Sequence, residues 1–467
     1  MNLSESVYVV LLSHRCDRCS LSPWNRLIGR VTRLAVKQSC IYDYFVGACV
    51  TTPSLRSRVL VAFAAITRFG SGVLMGTGLA YFIGASGGST FAVGMVQTAY
   101  WFGLMLFAPL WGAIADVTGR QRGVLVATGV GATLAAGALV VFDPGPWGAI
   151  GLRGIYAAFA AGFPPVMLTI ASSLGGTEKR GRELGFYNSA RAAGFTGGQL
   201  AAGFVVGIFL PADLYIFIVV TSLASTLAVA RLGGTTERKS VNPNSILTEL
   251  RGRLIPARED RAHLRTNGLR WLYVALALRN VTVLGVMALM PVYLPQRLGV
   301  TELQMGALLA LNHGLQVGFN YLFGHVADTA GRKVLITTGM AGSAAFTLVA
   351  AASSLPGSLV GRLAISAFGF VLLAASFSAM TTGSLAFIGD VAPKSRASEL
   401  MGLQSTAKGV GGVLGPTLVG ALAALVGVAT AFAIASVLAG VAAVLVTMLL
   451  VESFDGSGTV RTVTSDD

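Results

Sequence analysis

The chain has 467 residues, of which 54% are hydrophobic and only 12% charged, with a formal net charge of +14. Soluble domains carry about 25% charged residues, so there is too little polar surface here to coat a globule of this length. The basic excess does not gather into one patch beside aromatic residues, which sets nucleic-acid binding aside. The apolar residues instead fall in blocks long enough to cross a bilayer core, which takes about 20 helical residues. Lipid offers no partner to an unpaired backbone group, so such blocks must be helices.

The first fifty-odd residues differ from the rest. All four cysteines, Cys16, Cys19, Cys40 and Cys49, lie there. Cys16-x-x-Cys19 with His14 is half of a zinc site without the second pair that the usual spacing requires, so no metal or other cofactor is expected. The YVVLL run at 8–12 is too short for a signal-peptide core. Two explanations stay open: a start codon misplaced upstream of one near Val50, or a disordered or amphipathic cytoplasmic extension, with 1–56 set apart either way.

Twelve spans follow, at 58–84, 90–115, 123–142, 147–173, 185–209, 212–231, 270–295, 303–327, 333–353, 356–388, 399–425 and 428–451. The tenth block is longer than one crossing needs, and tilt or an extension into solvent absorbs the excess. Pro164-Pro165 in the fourth span and Pro291 and Pro295 in the seventh each remove a backbone donor and mark bends. A polar, basic segment at 232–269 separates six spans (57–231) from six more (270–451), and a tail at 452–467 closes the chain.

The halves repeat one another. WGAIADVTGRQRGVLVATG at 111–129 and FGHVADTAGRKVLITTG at 323–339 share Gly-x-x-x-Asp-x-x-Gly-Arg. Arg68 in the first span matches Arg279 in the seventh, Arg153 matches Arg362, and Arg191 in NSARAAGFTGGQ matches Lys408 in STAKGVGGVLGP. Such internal duplication is the mark of transporter folds. Arg120, Arg122, Lys179, Arg180, Arg182, Arg332, Lys333, Lys394 and Arg396 crowd one set of loops, while the other set holds only Asp143, Asp213, Arg297 and Glu302. The rich side is read as cytoplasmic, with both termini inside a multi-pass cell-membrane protein.

Six plus six spans, a long basic central segment and the motif between spans two and three resemble the major facilitator superfamily over roughly 57–451, closest to its drug–proton antiporter members. The resemblance implies an all-α membrane fold of twelve helices in two pseudo-symmetric six-helix bundles, rocking about a central cavity to expose a midplane site to each side in turn. It implies a gating latch made by Gly112, Asp116, Gly119 and Arg120 and, in the second copy, by Gly324, Asp328, Gly331 and Arg332. A plain turn with snorkelling arginines is the alternative. The glycines at 112 and 324 suit close helix approach, and those at 119 and 331 suit a tight reversal.

In the fifth span Gly194, Gly198 and Gly203 match the antiporter signature, but Gln199 stands where Pro is expected and Ala202 where Gly is. The Pro is found in the eleventh span instead, as Pro416 after Gly411 and Gly415. Close helix packing explains both stretches equally well.

The buried charges bear most on mechanism. Arg68, Arg153, Arg191, Arg279, Arg362, Lys408 and His313 lie inside spans, with no Asp or Glu well inside any. Charge at that depth is expensive, by at least about 2.5–3.5 kcal/mol, so water, carbonyls or an anionic substrate must offset it. Arg68 lies ten residues beyond Arg58 and Arg279 nine beyond Arg270, about 15 and 13 Å of helix, which places both near the midplane. The pair, with Asn280 beside it, resembles the anion clamp of organic-phosphate exchangers; bonding to carbonyls freed by bends is the structural alternative. Arg153 resembles the fourth-span Arg of the antiporters. Arg191 and Lys408, about 12–13 Å inside, either close the cavity floor or pair with Asp116 and Asp328, the pairing being preferred. His313, among Asn312, Gln316 and Asn320, is a candidate proton carrier or a polar packing residue.

No enzymatic constellation is present, so the chain is not read as an enzyme. The leading reading is a secondary transporter of small organic solutes by alternating access, exporting them, with a proton or counter-ion as the open choice of coupling partner. The alternative is an organic-anion exchanger or symporter using the paired-Arg site. The expected partners are a small-molecule substrate and the lipid bilayer, and the expected unit is a monomer.

Overall fold

The computed structural model describes residues 55–142, 144–174, 179–209, 211–233, 264, 266–392 and 397–454. The readings placed on residues 1–54, on 234–263 and on the tail beyond 454 lie outside the described residues, as do Asp143, Lys394, Arg396 and the side chain of Asp328.

The described chain is a succession of helices: α1 (Leu55–Ala85), α2 (Thr90–Thr118), α3 (Gln121–Val141), α4 (Gly145–Ala160), α5 (Phe163–Leu174), α6 (Arg180–Ile208), α7 (Pro211–Ala230), α8 (Leu269–Leu298), α9 (Glu302–Ala330), α10 (Arg332–Ala352), α11 (Leu359–Val391), α12 (Ala397–Val426) and α13 (Val428–Leu449). Taking α4 and α5 as one crossing, these are the twelve spans. Ten are long and apolar enough to cross a membrane. The other two, α6 and α9, are 29 residues each but more polar.

The fourth span differs from the single helix expected at 147–173. Gly162 N–H turns back to the Phe159 carbonyl (3.1 Å), and Pro164 and Pro165 have no N–H to continue α4. They sit in the first turn of α5, where that loss is tolerated. The Ala158 carbonyl takes its hydrogen bond from the Trp111 indole of α2 instead (2.8 Å). The long tenth span is one helix of 33 residues, α11.

Helix packing repeats from half to half. In the first half α1 packs on α6 and α7, α3 on α4 and α7, and α2 on α4; in the second, α8 packs on α12 and α13, α10 on α11 and α13, and α9 on α11. Two seams join the bundles, α2 against α12 and α6 against α9, and these also exchange under the same six-span shift. Glycine permits the close crossings. A Cβ on Gly203 of α6 would stand 2.7 Å from the Gly306 Cα of α9. Small residues at such crossings are the usual interface between helices in lipid.

The core shows how the bundles meet. One apolar cluster contains side chains of both halves, among them Leu79, Val93, Val206, Val292, Leu308 and Val419. Toward the end of the molecule carrying the Gly119 and Gly331 turns it gives way to two separate clusters, one built around Val61, Leu125 and Met167 and the other around Leu272, Ile336 and Phe387. The bundles are therefore fused at one end and parted at the other.

Candidate transport cavity

The fused end is sealed by specific contacts. Tyr81 of α1 donates to a Glu302 carboxylate oxygen at the start of α9 (2.7 Å). Thr90 of α2 donates to the Gly420 carbonyl of α12 (2.9 Å), and Thr98 to the Val413 carbonyl (3.1 Å), with the Thr417 hydroxyl 2.7 Å away. The α6–α9 seam runs from Gly207 beside Glu302 through Gly203 and Gly306 to Phe195, whose ring lies 5.1 Å from that of His313. Thr301 begins α9 with a capping box closed by Gln304, which holds Glu302 in the first turn facing Tyr81.

Below that point cations lie within the bundles. Arg68 is buried inside the first bundle, donating to Ser222 (2.9 Å) and Thr226 (3.3 Å) of α7. Arg279 is buried inside the second, donating to Ser343 of α10 (2.9 Å) and to Asn280 (3.1 Å), with its guanidinium 5.5 Å from the Phe377 ring centre. Neither arginine uses the carbonyls at helix bends proposed as the structural alternative. Hydroxyls on neighbouring helices do that work. Arg153 is also buried, stacked 4.2 Å from the Tyr100 ring centre. Gly76 of α1 makes room for it, since a Cβ there would fall 2.8 Å from the guanidinium. Arg362, its sequence counterpart, donates to the Pro356 and Leu298 carbonyls at the fused end (2.9 and 3.2 Å), so these two do not correspond in role.

Arg191 and Lys408 are different: both are half-buried. Arg191 of α6 lies between the rings of Phe69 (5.6 Å) and Phe195 (5.5 Å). Lys408 of α12 lies between Trp101 (5.6 Å) and Phe377 (5.4 Å). Arg191 and Arg279 both act on Lys408 electrostatically, and Lys408 and Arg191 act on His313. The carboxylate pairing preferred for Arg191 and Lys408 is absent from their contacts among the described residues; aromatic faces take that place. Asp116 is exposed at the end of α2, and Arg120 is exposed beside it. His313 Nδ1 is buried without a hydrogen-bond partner.

The two motif turns share a positive φ at their glycine and differ in ψ. Gly119 (φ 66, ψ 0) is left-handed and Gly331 (φ 91, ψ 156) is extended with a positive φ, so both call for glycine by different backbone geometries. Gly112 is buried on α2. A Cβ on Gly324 would meet nothing within 4 Å, so the close approach expected of that glycine is not made. Arg332 pairs with Asp390 of α11 (3.1 Å) and donates to the Ala327 carbonyl. Glu452 caps the start of α10 through the Arg332 and Lys333 N–H groups (3.0 and 2.9 Å). Asp390 and Ala327 belong to the second bundle and Glu452 to the tail that follows it, so these contacts bind the turn to its own half.

Of the expected packing residues, Gly194 and Gly198 seat α6 on α1 at Ile66 and Gly70, Gly411 and Gly415 seat α12 on α8 at Asn280 and Val281, and Pro416 faces Gly94 of α2. Sequence reasoning missed the partners of three carboxylates, because the helices overrun the predicted spans. Glu183 pairs with Arg58 (3.1 Å), Asp390 with Arg332, and Glu302 with Tyr81. The Thr301-x-x-Gln304 spacing was the available signal for the last.

Comparison with known proteins agrees with this architecture. The family model described as Major Facilitator Superfamily matches residues 59–370 and 286–465. A stretch of 126 residues is 32% identical to the multi-drug resistance efflux pump PmrA of Streptococcus pneumoniae, covering 25% of this chain and 31% of that protein. The chain thus spans about a third of the curated relative it matches. Among solved structures, the nucleoside transporter NupG superposes with a TM-score of 0.66 at 13% identity, over 84% of this chain and 98% of that one. A bacterial homologue of the human lysosomal transporter Spinster, described as inward-facing and unoccupied, gives 0.66 at 16%, over 85% and 98%. The human organic anion transporter MFSD10 gives 0.60 at 15%, over 85% and 100%. At such identities these likenesses speak for the fold. Together with the family match along most of its length, they establish that the chain belongs to the major facilitator superfamily and has its multi-pass membrane fold.

Proposed function

We propose that the protein exports small organic solutes by alternating access, with the motif turns and both termini on the cytoplasmic side. The observation that carries this reading is the division of the core: one shared apolar cluster at the fused end and two separate ones at the other. With the Lys- and Arg-rich turns placed inside by the positive-inside rule, this is an inward-facing conformation, its cavity open to cytoplasmic solutes. The similarity to a multidrug efflux pump over part of the chain supports export over uptake. One chain supplies both walls of the cavity, so the monomer is the proposed unit. A proton or counter-ion moving the other way supplies the driving force.

The test is transport into everted membrane vesicles or proteoliposomes holding the purified full chain, with and without an imposed pH gradient. Export predicts solute accumulation in everted vesicles that depends on the protein. Accumulation only in right-side-out vesicles would contradict it, and indifference to the gradient would remove the proton as coupling ion.

A further inference from the structure

This inference rests on the transport reading and names the substrate class of the same cavity. Of the cations at membrane depth, Arg68 and Arg279 are engaged by hydroxyl and amide groups within their own bundles, with Arg68 Nε left over, and Arg153 is buried against Tyr100 and Gly76. Arg191 and Lys408 are half-buried, one in each bundle, with no hydrogen-bond or carboxylate partner in their contacts among the described residues. Aromatic faces flank both, which offsets only part of what a desolvated cation loses. Arg279 adds a third like charge acting on Lys408 and leaves Nη2 buried without a partner.

A chamber with this excess of positive charge and no matching acid in those contacts disfavours cationic guests and favours an oxyanion. The guanidinium fork can take two oxygens at once, while the ammonium acts as a point charge. The rings of Phe195, Trp101 and Phe377 next to these cations suit a planar apolar body. We infer that the transported solute is an amphipathic organic anion, its carboxylate or phosphate held between Arg191 and Lys408 and its apolar body laid against those rings. The site differs from the Arg68–Arg279 clamp that sequence symmetry suggests, because those two arginines are already engaged inside their bundles.

The experiment uses the full chain in nanodiscs and in proteoliposomes, with 2-naphthoate, 2-naphthyl phosphate and tetraphenylphosphonium as probes. Binding is read by calorimetry and transport by uptake. At least one naphthyl anion is expected to bind and to be transported, with tetraphenylphosphonium at least tenfold weaker. Arg191→Gln and Lys408→Gln are each expected to raise the anion Kd at least tenfold, with Arg191→Lys and Lys408→Arg within roughly threefold of wild type. Should the Gln variants fail to fold, the charge-conserving pair combined with the salt dependence of the wild-type Kd decides. An anion Kd that does not rise with salt would overturn the inference, as would unchanged affinity in folded Gln variants. If tetraphenylphosphonium is transported and neither anion binds, the anion inference falls and the transport reading stands. If an anion binds at Arg191 and Lys408 but nothing is transported, the binding site stands and the transport reading falls.

Discussion

The Tyr81 hydroxyl and the Glu302 carboxylate meet at 2.7 Å across the line where the two bundles join. A hydrogen bond to a charged acceptor contributes about 1.5–3 kcal/mol, and partial exposure of both side chains reduces that to about 1–2 kcal/mol, a factor of roughly 5–30 in an equilibrium. Tyr81→Phe is expected to shift the protein by that factor toward a state open at the fused end. The check is the alkylation rate of Val292→Cys, which lies against Gly84 in the same seam, in a background lacking the four native cysteines. An unchanged rate would mean that the bond does not hold the seam.

The α6–α9 crossing depends on two glycines that face each other. Replacing Gly203 with Val places side-chain atoms where the Gly306 backbone lies, and helix separation must grow by an ångström or more. Overpacking of this kind costs about 1–3 kcal/mol. The variant is expected to melt at lower temperature in detergent or to populate the opposite conformation, read by the same cysteine. Wild-type melting with wild-type alkylation would show that the crossing is looser than described.

Arg68 is expected to act on stability and not on affinity. Arg68→Gln loses the two charge-assisted bonds to Ser222 and Thr226, whose hydroxyls keep the Thr133 hydroxyl and the Ser222 carbonyl as partners, a loss of roughly 2 kcal/mol. Reduced melting temperature with KM within about twofold of wild type is the expected pattern in folded protein. A stable variant with KM raised tenfold would restore Arg68 to the substrate site.

The second motif turn is expected to stabilise its own bundle. Glu452→Ala removes the acceptor shared by the Arg332, Lys333, Ser453 and Phe454 N–H groups, and loss of a helix cap costs about 0.5–2 kcal/mol. Hydrogen exchange at 451–454 and at the start of α10 is expected to quicken together, with Arg332→Gln giving a similar pattern through the loss of Asp390. Quickening confined to 451–454 would show that this segment and the turn are independent.

The spans and their duplication were legible because lipid demands uninterrupted apolar helices, and the double proline at 164–165 marked the break in the fourth one. The candidate site was legible only in part, because spacing along a span gives depth and not direction. Each residue turns a helix by about 100°, and with apolar neighbours on every side the pattern of the span does not show which face looks inward. Arg68 and Arg191 look equivalent in the sequence, yet one is spent on Ser222 and Thr226 of a neighbouring helix and the other lies half-buried between Phe69 and Phe195. Hydroxyl partners such as Ser222 and Ser343 carry no charge to draw attention, and they decide which arginines are free. Likewise, predicted span edges a few residues short hid Glu183 and Asp390, whose pairing with Arg58 and Arg332 shows that the bundle ends are not purely basic.

The central claim is that two rigid bundles rock about the cavity between them, closing one end as the other opens. Distances between spin labels test it most directly, one pair at Lys179 and Ala330 on the parted end and one at Ala85 and Arg297 on the fused end, in a variant without the cysteines at 16, 19, 40 and 49. Adding the naphthyl anions or imposing a pH gradient is predicted to shorten the first distance while lengthening the second, in matched proportions. Distances that stay fixed under every condition, or that grow and shrink together, would contradict the account.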